Sequence, residues 1–153
     1  PPPAAAPPGL RAVVLLNGFG SLLWPARGLG PLPVPALVVG GSLDLVTPPL
    51  GEQLDLFLPP AHPASRLAMV QGGSHFSPVR LDPGDAALFR LGDDLVGVEP
   101  ARVQEALQSL VADFLESLGQ PWSLVPQRRR QAGVTTWLLD PAAAGRWRRS
   151  FSN

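Results

Sequence analysis

Three short apolar runs in the first half of the chain predict buried β-strands. They lie at Ala12–Leu16, Ala36–Val39 and Arg66–Val70, and each is followed directly by Asn, Gln or Gly. The runs are rich in aliphatic and β-branched residues and do not alternate with polar ones. This pattern is typical of parallel strands that are covered on both faces.

Helical spacing of apolar residues marks two further segments. The first covers residues 50–58, where Thr47 is positioned to cap the helix and Pro59 to end it. The second, Pro100–Leu118, has an apolar stripe at i, i+3, i+4 and i+7 and a polar opposite face. Strands that alternate with helices predict an α/β fold with three parallel strands, flanking helices and right-handed crossovers.

The pattern also divides the chain into three parts. Residues 1–9 are a Pro/Ala-rich lead, and residues 10–119 hold the predicted α/β domain. Residues 120–153 show no sustained periodicity and are predicted to be an irregular, Arg-rich tail. Ala12–Leu16 has no earlier strand to pair with, and no Met opens the chain. We therefore expect an incomplete fold, the C-terminal fragment of a larger domain.

Composition narrows the classes of function. Pro and Gly make up 36 of 153 residues, but the apolar fraction of 45% is enough for a packed core. With no Cys and two His, the sequence predicts neither a disulfide framework nor a metal or cofactor site. No apolar run approaches the roughly 18 residues that span a bilayer, so no membrane span is predicted. The composition indicates no compartment.

The net charge of zero conceals an uneven distribution. Residues 1–126 carry 6 Arg and 11 acidic residues, whereas residues 127–153 carry 6 Arg and Asp140 alone. In the tail, Arg128–Arg130 and Arg146–Arg149 combine Arg with Trp, a mixture that can bind nucleic acid. Short basic stretches are more often solvated surface, so nucleic-acid binding stays the weaker alternative.

Two residues with acid–base chemistry follow neighbouring predicted strands. Asp44 follows the second strand and His75 the third, 31 residues apart, which leaves room for one helix and one strand. The carboxyl ends of parallel strands share one edge of a sheet, where catalytic groups gather. A carboxylate can hold an imidazole in one tautomer and stabilise its protonated form. A lone Asp is often only a turn residue, and His62, between prolines, is interpreted as an exposed loop residue.

The segments around both residues resemble a known family. VPALVVGGSLDLVTPPLGEQLDLF and RLAMVQGGSHFSP resemble the C-terminal part of an α/β-hydrolase, in the dienelactone-hydrolase-like and cutinase-like (polyester hydrolase) branch. That family carries its triad acid in P-x-L-x-x-x-G-x-x-D-x-x-x-P and its triad histidine in G-x-x-H-F. The resemblance covers residues 10–118. It implies that Asp44 and His75 are catalytic and that the three strands are the last of the family's sheet.

The chain departs from the family in one respect. Such enzymes carry their nucleophilic Ser in a G-x-S-x-G elbow, which this sequence lacks. We therefore expect a C-terminal fragment of a serine hydrolase that is inactive alone. Small-molecule or polymeric esters would be bound through the full-length protein, in an oligomeric state that the sequence does not indicate. The alternative is a non-catalytic interaction module, a degenerate hydrolase whose sheet edge pairs with a partner.

Overall fold

The computed structural model describes residues 7–19, 33–57, 62–79, 97–120 and 127–151. Within these ranges the chain has a mixed α/β fold, with one five-stranded sheet between helices. The strands are β1 Val13–Leu16, β2 Ala36–Gly41, β3 Arg66–Val70, β4 Gln127–Gln131 and β5 Val134–Leu139. The first three lie where the apolar runs predict them.

The sheet combines a parallel part with an antiparallel part, in the order β1-β2-β3-β5-β4. β1, β2 and β3 are parallel neighbours, as predicted, whereas β5 pairs antiparallel with both β3 and β4. Gly41 at the end of β2 lies opposite Val70 at the end of β3. The loops that follow these two strands therefore leave the sheet side by side.

Helices cover both faces of the sheet. A π-helical turn, Leu50–Leu54, continues into α1, Asp55–Phe57; α2 spans Pro100–Glu116 and α3 spans Pro141–Ser150. Both predicted helical segments are present: the first is described as far as Phe57, with Leu58 and Pro59 outside the described residues, and the second ends at Glu116. The prediction that Thr47 caps the first is wrong. Pro49 occupies the cap position without a side-chain hydrogen bond, because the Thr47 hydroxyl bonds elsewhere. None of the helices in the described ranges has the length and hydropathy to cross a membrane.

Successive residues of the inner strands pack into two separate core clusters. Leu37 and Val39 of β2 face α2, while Ala36 and Val38 face the opposite layer of α1 and α3. All residues of β2 and β3 are buried. Cover on both faces explains why their sequences are continuously apolar.

Phe114 fills the cluster beneath α2, and its replacement tests that packing. Phe114→Ala is expected to lower the free energy of unfolding by about 3 kcal/mol, because a buried aromatic ring leaves a cavity. Leu115→Ala is the matched control, since Phe114 is 1% exposed and its neighbour is 49% exposed. Urea denaturation of both variants measures the difference. Equal losses would contradict the assignment of this helix face to the core.

The prediction of an irregular tail is wrong for residues 127–151. β4 and β5 form a hairpin whose turn, Ala132–Gly133, takes positive φ values of 50° and 78°. Asp140 then caps α3 by accepting a hydrogen bond from the Ala143 amide at 2.6 Å. The sequence QRRRQ shows no apolar alternation because β4 is an exposed edge strand, and charged edges block further pairing.

Arginines of this hairpin and helix are held by neighbouring side chains. Arg129 forms an ion pair with Asp113 of α2, and Arg148 pairs with Asp55 at 2.7 Å. The guanidinium of Arg128 stacks 5.3 Å above the ring of Trp137. The two ion pairs join the basic segment to α2 and α1, whereas the contact of Arg128 with Trp137 lies within the hairpin.

Candidate active site

The structure brings Asp44 and His75, the two residues singled out by their strand positions, into direct contact. Nδ1 of His75 lies 3.0 Å from Oδ2 and 3.1 Å from Oδ1 of Asp44. Asp44 stands in the loop after β2, and His75 in the loop after β3. The pairing of adjacent parallel strands therefore places the carboxylate beside the imidazole at one edge of the sheet.

Two glycines allow the supporting loops to approach closely. A Cβ atom at Gly41 would lie 2.2 Å from the carbonyl oxygen of Gly73, closer than any side chain can fit. That carbonyl accepts a hydrogen bond from the Leu43 amide at 2.9 Å. The Ser42 hydroxyl accepts another from the Gly72 amide at 2.9 Å. The two loops thus form one hydrogen-bonded unit.

The Asp44 carboxylate is buried and fully engaged by donors. Its side chain is 0% exposed. Oδ1 accepts from the amides of Val46 at 3.0 Å and Thr47 at 2.7 Å, while Oδ2 accepts from the Thr47 hydroxyl at 2.7 Å. These donors replace the water that burial removes. They also fix the plane of the carboxylate toward His75.

The His75 imidazole is oriented for proton transfer. A carboxylate oxygen accepts hydrogen bonds, so the contact with Asp44 favours the tautomer that has its hydrogen on Nδ1 and its lone pair on Nε2. The rings of Phe19 and Phe76 lie against the imidazole edge to face, with centroids 5.8 and 4.9 Å away. The side chain remains 14% exposed, and within the described residues Nε2 has no hydrogen-bond partner. This arrangement suits a general base.

The site contains two further residues, Asn17 and Thr47, which the sequence pattern did not assign to it. Asn17 donates through Nδ2 to the carbonyl oxygens of Ser74 at 3.0 Å and His75 at 2.8 Å. The Thr47 hydroxyl lies 3.1 Å from His75 Nδ1 and 3.3 Å from the Asn17 carbonyl oxygen. The sequence showed Asn17 as the end of a strand and Thr47 as a helix cap. No local sequence pattern shows whether such an Asn or Thr ends a strand, caps a helix or contacts a distant histidine.

The other imidazole takes no part in this cluster. Nδ1 of His62 accepts a hydrogen bond from the Ala64 amide at 3.1 Å, within its own loop. In the described ranges, no group of three or more His, Cys, Asp or Glu side chains is arranged to hold a metal ion. The contact of His75 with Asp44 offers acid–base chemistry.

No family model, curated protein or solved structure matches the chain. The site combines a buried carboxylate, an imidazole held by that carboxylate and an Nε2 without a hydrogen-bond partner among the described residues. Together they can accept a proton from a hydroxyl and return it to a leaving group.

Proposed function

We propose that Asp44 and His75 are the acid and the base of a serine hydrolase that acts on carboxylic esters. The observation that carries this proposal is the contact of His75 Nδ1 with both Asp44 oxygens, at 3.0 and 3.1 Å, while Nε2 stays free. A triad needs this orientation, because the carboxylate selects the tautomer and stabilises the imidazolium. The resemblance of the two surrounding motifs to α/β-hydrolases supports it.

In the proposed reaction, His75 moves one proton in each half. As a serine oxygen bonds to the ester carbonyl carbon, Nε2 takes the serine proton. Collapse of the tetrahedral intermediate breaks the bond to the alcohol oxygen, which receives that proton. Water then bonds to the acyl carbon while His75 takes one of its protons. Collapse of this second intermediate breaks the bond from the carbon to the serine oxygen, which receives that proton, and the carboxylic acid is released. Asp44 stays ionised throughout and holds the imidazolium.

The nucleophile in this proposal comes from outside residues 1–153. The chain contains no G-x-S-x-G elbow, and the residue after such an elbow also supplies an oxyanion-hole amide. This chain would contribute the proton-transfer half of the site. The substrate is an ester of a small molecule or a polymer, bound largely by that other segment.

The test uses the complete translation product that contains residues 1–153. We expect a G-x-S-x-G after an apolar strand ahead of residue 13, and covalent labelling of its Ser by a fluorophosphonate probe. Serine-to-alanine substitution in the elbow is the control and should abolish labelling. A complete product without an elbow and without labelling would contradict the proposal and leave the non-catalytic interaction module.

The chain of residues 1–153 alone is expected to show no enzymatic turnover of p-nitrophenyl acetate. Acid and base without a nucleophile and an oxyanion hole lose several orders of magnitude in rate. Release of p-nitrophenolate, followed by absorbance, should not exceed that from an equal concentration of free imidazole. Faster turnover that His75→Ala abolishes would contradict this expectation, because it would reveal a nucleophile within the chain.

The nucleic-acid alternative receives less support from the contacts. Carboxylates already hold Arg129 and Arg148, and Arg128 lies on the ring of Trp137. Surface guanidinium groups in ion pairs are less available to phosphates, whose contacts supply most of the affinity of nonspecific binders. The ion pairs of Arg129 and Arg148 join the hairpin and α3 to the rest of the domain, and Arg128 packs within the hairpin.

A further inference from the structure

We propose that Asn17 is a positioning residue for the His75 imidazole and that it acts together with Thr47. Asn17 stands at the end of β1, where its side chain reaches the His75 loop and its carbonyl reaches the Asp44 loop. The catalytic consequence rests on the proposed function, whereas the structural consequence is measurable in residues 1–153. We call Asn17 and Thr47 the clamp.

The side chain of Asn17 fixes the backbone on both sides of the His75 Cα atom. A primary amide has two hydrogens on nitrogen, and both are used, one for the Ser74 carbonyl and one for the His75 carbonyl. These two carbonyls precede and follow the same Cα. Holding both restricts φ and ψ of His75 and therefore the direction of its Cα–Cβ bond.

The amide orientation follows from its partners. Exchanging nitrogen and oxygen would aim Oδ1 at two carbonyl oxygens, none of which can donate. In the observed orientation Asn17 Oδ1 is buried and has no hydrogen-bond partner among the described residues. An unpaired buried acceptor costs stability. The two hydrogen bonds donated by Nδ2 offset this cost.

The backbone of Asn17 imposes a second requirement at the same position. Its φ is 46°, in the left-handed region that Asn tolerates better than most residues with a side chain. Glycine would accept this conformation but would supply no donor. Aspartate would keep the shape but would turn an acceptor toward the two carbonyls. The position therefore offers two informative substitutions.

Thr47 connects the clamp to the acid–base pair. Its single hydroxyl hydrogen has its shortest contact with Asp44 Oδ2, at 2.7 Å, and the Asn17 carbonyl lies 3.3 Å away as a second acceptor. The hydroxyl lone pairs face His75 Nδ1 at 3.1 Å. The Nδ1 hydrogen is thus shared between the carboxylate and the hydroxyl, and both contacts hold the imidazole in place.

The test follows the His75 Nδ1 proton by NMR in residues 1–153. The wild type should show a downfield Nδ1–H resonance that exchanges slowly with water. Asn17→Gly and Asn17→Asp should each speed that exchange by about tenfold or more, because two hydrogen bonds holding the loop are lost. Thr47→Val should also speed the exchange of this proton. Thr47→Ser, which keeps the hydroxyl, should exchange it at the wild-type rate.

The outcomes separate the clamp from the proposed function. Asp44→Asn should remove the resonance altogether, and a wild type without it would overturn the acid–base pair itself. The wild type could show the resonance while the Nδ1 proton exchanges at the wild-type rate in both Asn17→Gly and Thr47→Val. That result would overturn the positioning role of the clamp but not the contact between Asp44 and His75. In the complete translation product, Asn17→Gly should lower kcat with KM unchanged; a change in KM alone would overturn a positioning role.

Discussion

Asp44→Asn is expected to lower the kcat of the complete translation product by about 10⁴-fold. An amide offers one acceptor where the carboxylate offers two, and the carboxylate receives donors from the Val46 amide, Thr47 and His75. The amide nitrogen would face one of these donors. The imidazole then loses either its orientation or the tautomer that leaves Nε2 free.

Asp55→Asn is the matched control for that substitution. Asp55 is half exposed, and its carboxylate forms an ion pair with Arg148 of α3. Exposed ion pairs contribute less than about 1 kcal/mol, so this variant should keep its stability and its kcat. Steady-state hydrolysis of a p-nitrophenyl ester measures both variants. Equal kcat values would mean that Asp44 only shapes its own loop.

Gly41→Ala is expected to disrupt the fold more than any other substitution considered above. The added methyl group would lie 2.2 Å from the Gly73 carbonyl oxygen and 2.5 Å from its carbon. Both are backbone atoms, which cannot rotate away as a side chain could. The loss in free energy of unfolding should exceed about 4–5 kcal/mol, the range of the most disruptive substitutions.

Gly51→Ala separates this clash from a general effect of removing glycine. A Cβ at Gly51 would meet no heavy atom within 4 Å, and the residue lies in the π-helical turn. Alanine loses less conformational entropy on folding than glycine does, so the free energy of unfolding should stay equal or rise slightly. Thermal unfolding followed by circular dichroism compares the two. A Gly41→Ala variant as stable as Gly51→Ala would contradict the close packing of the two loops.

Continuous apolar runs made the inner part of the fold predictable. Strands covered on both faces contain apolar residues at every position, and the stripe of α2 has a regular helical period. The edge strand β4 lacks both signals, because most of its residues are exposed to solvent. Its place in the sheet comes from the hairpin with β5, and β5 in turn pairs with β3, which lies far earlier in the chain.

The acid–base pair was predictable to a similar degree. Asp44 and His75 follow adjacent parallel strands, so topology alone brings them to one edge. Asn17 and Thr47 contact them through a backbone carbonyl, an amide and a hydroxyl that the same residues also use in turns and caps. Only the three-dimensional arrangement shows which of these uses the chain adopts.

Ester hydrolysis by the complete translation product tests most directly whether His75 is the catalytic base. His75→Gln should lower kcat by at least about 10⁴-fold, because the proton acceptor is removed. His62→Gln should leave kcat unchanged, since His62 bonds the Ala64 amide in its own loop. A His75→Gln variant as active as the wild type would contradict the proposed function.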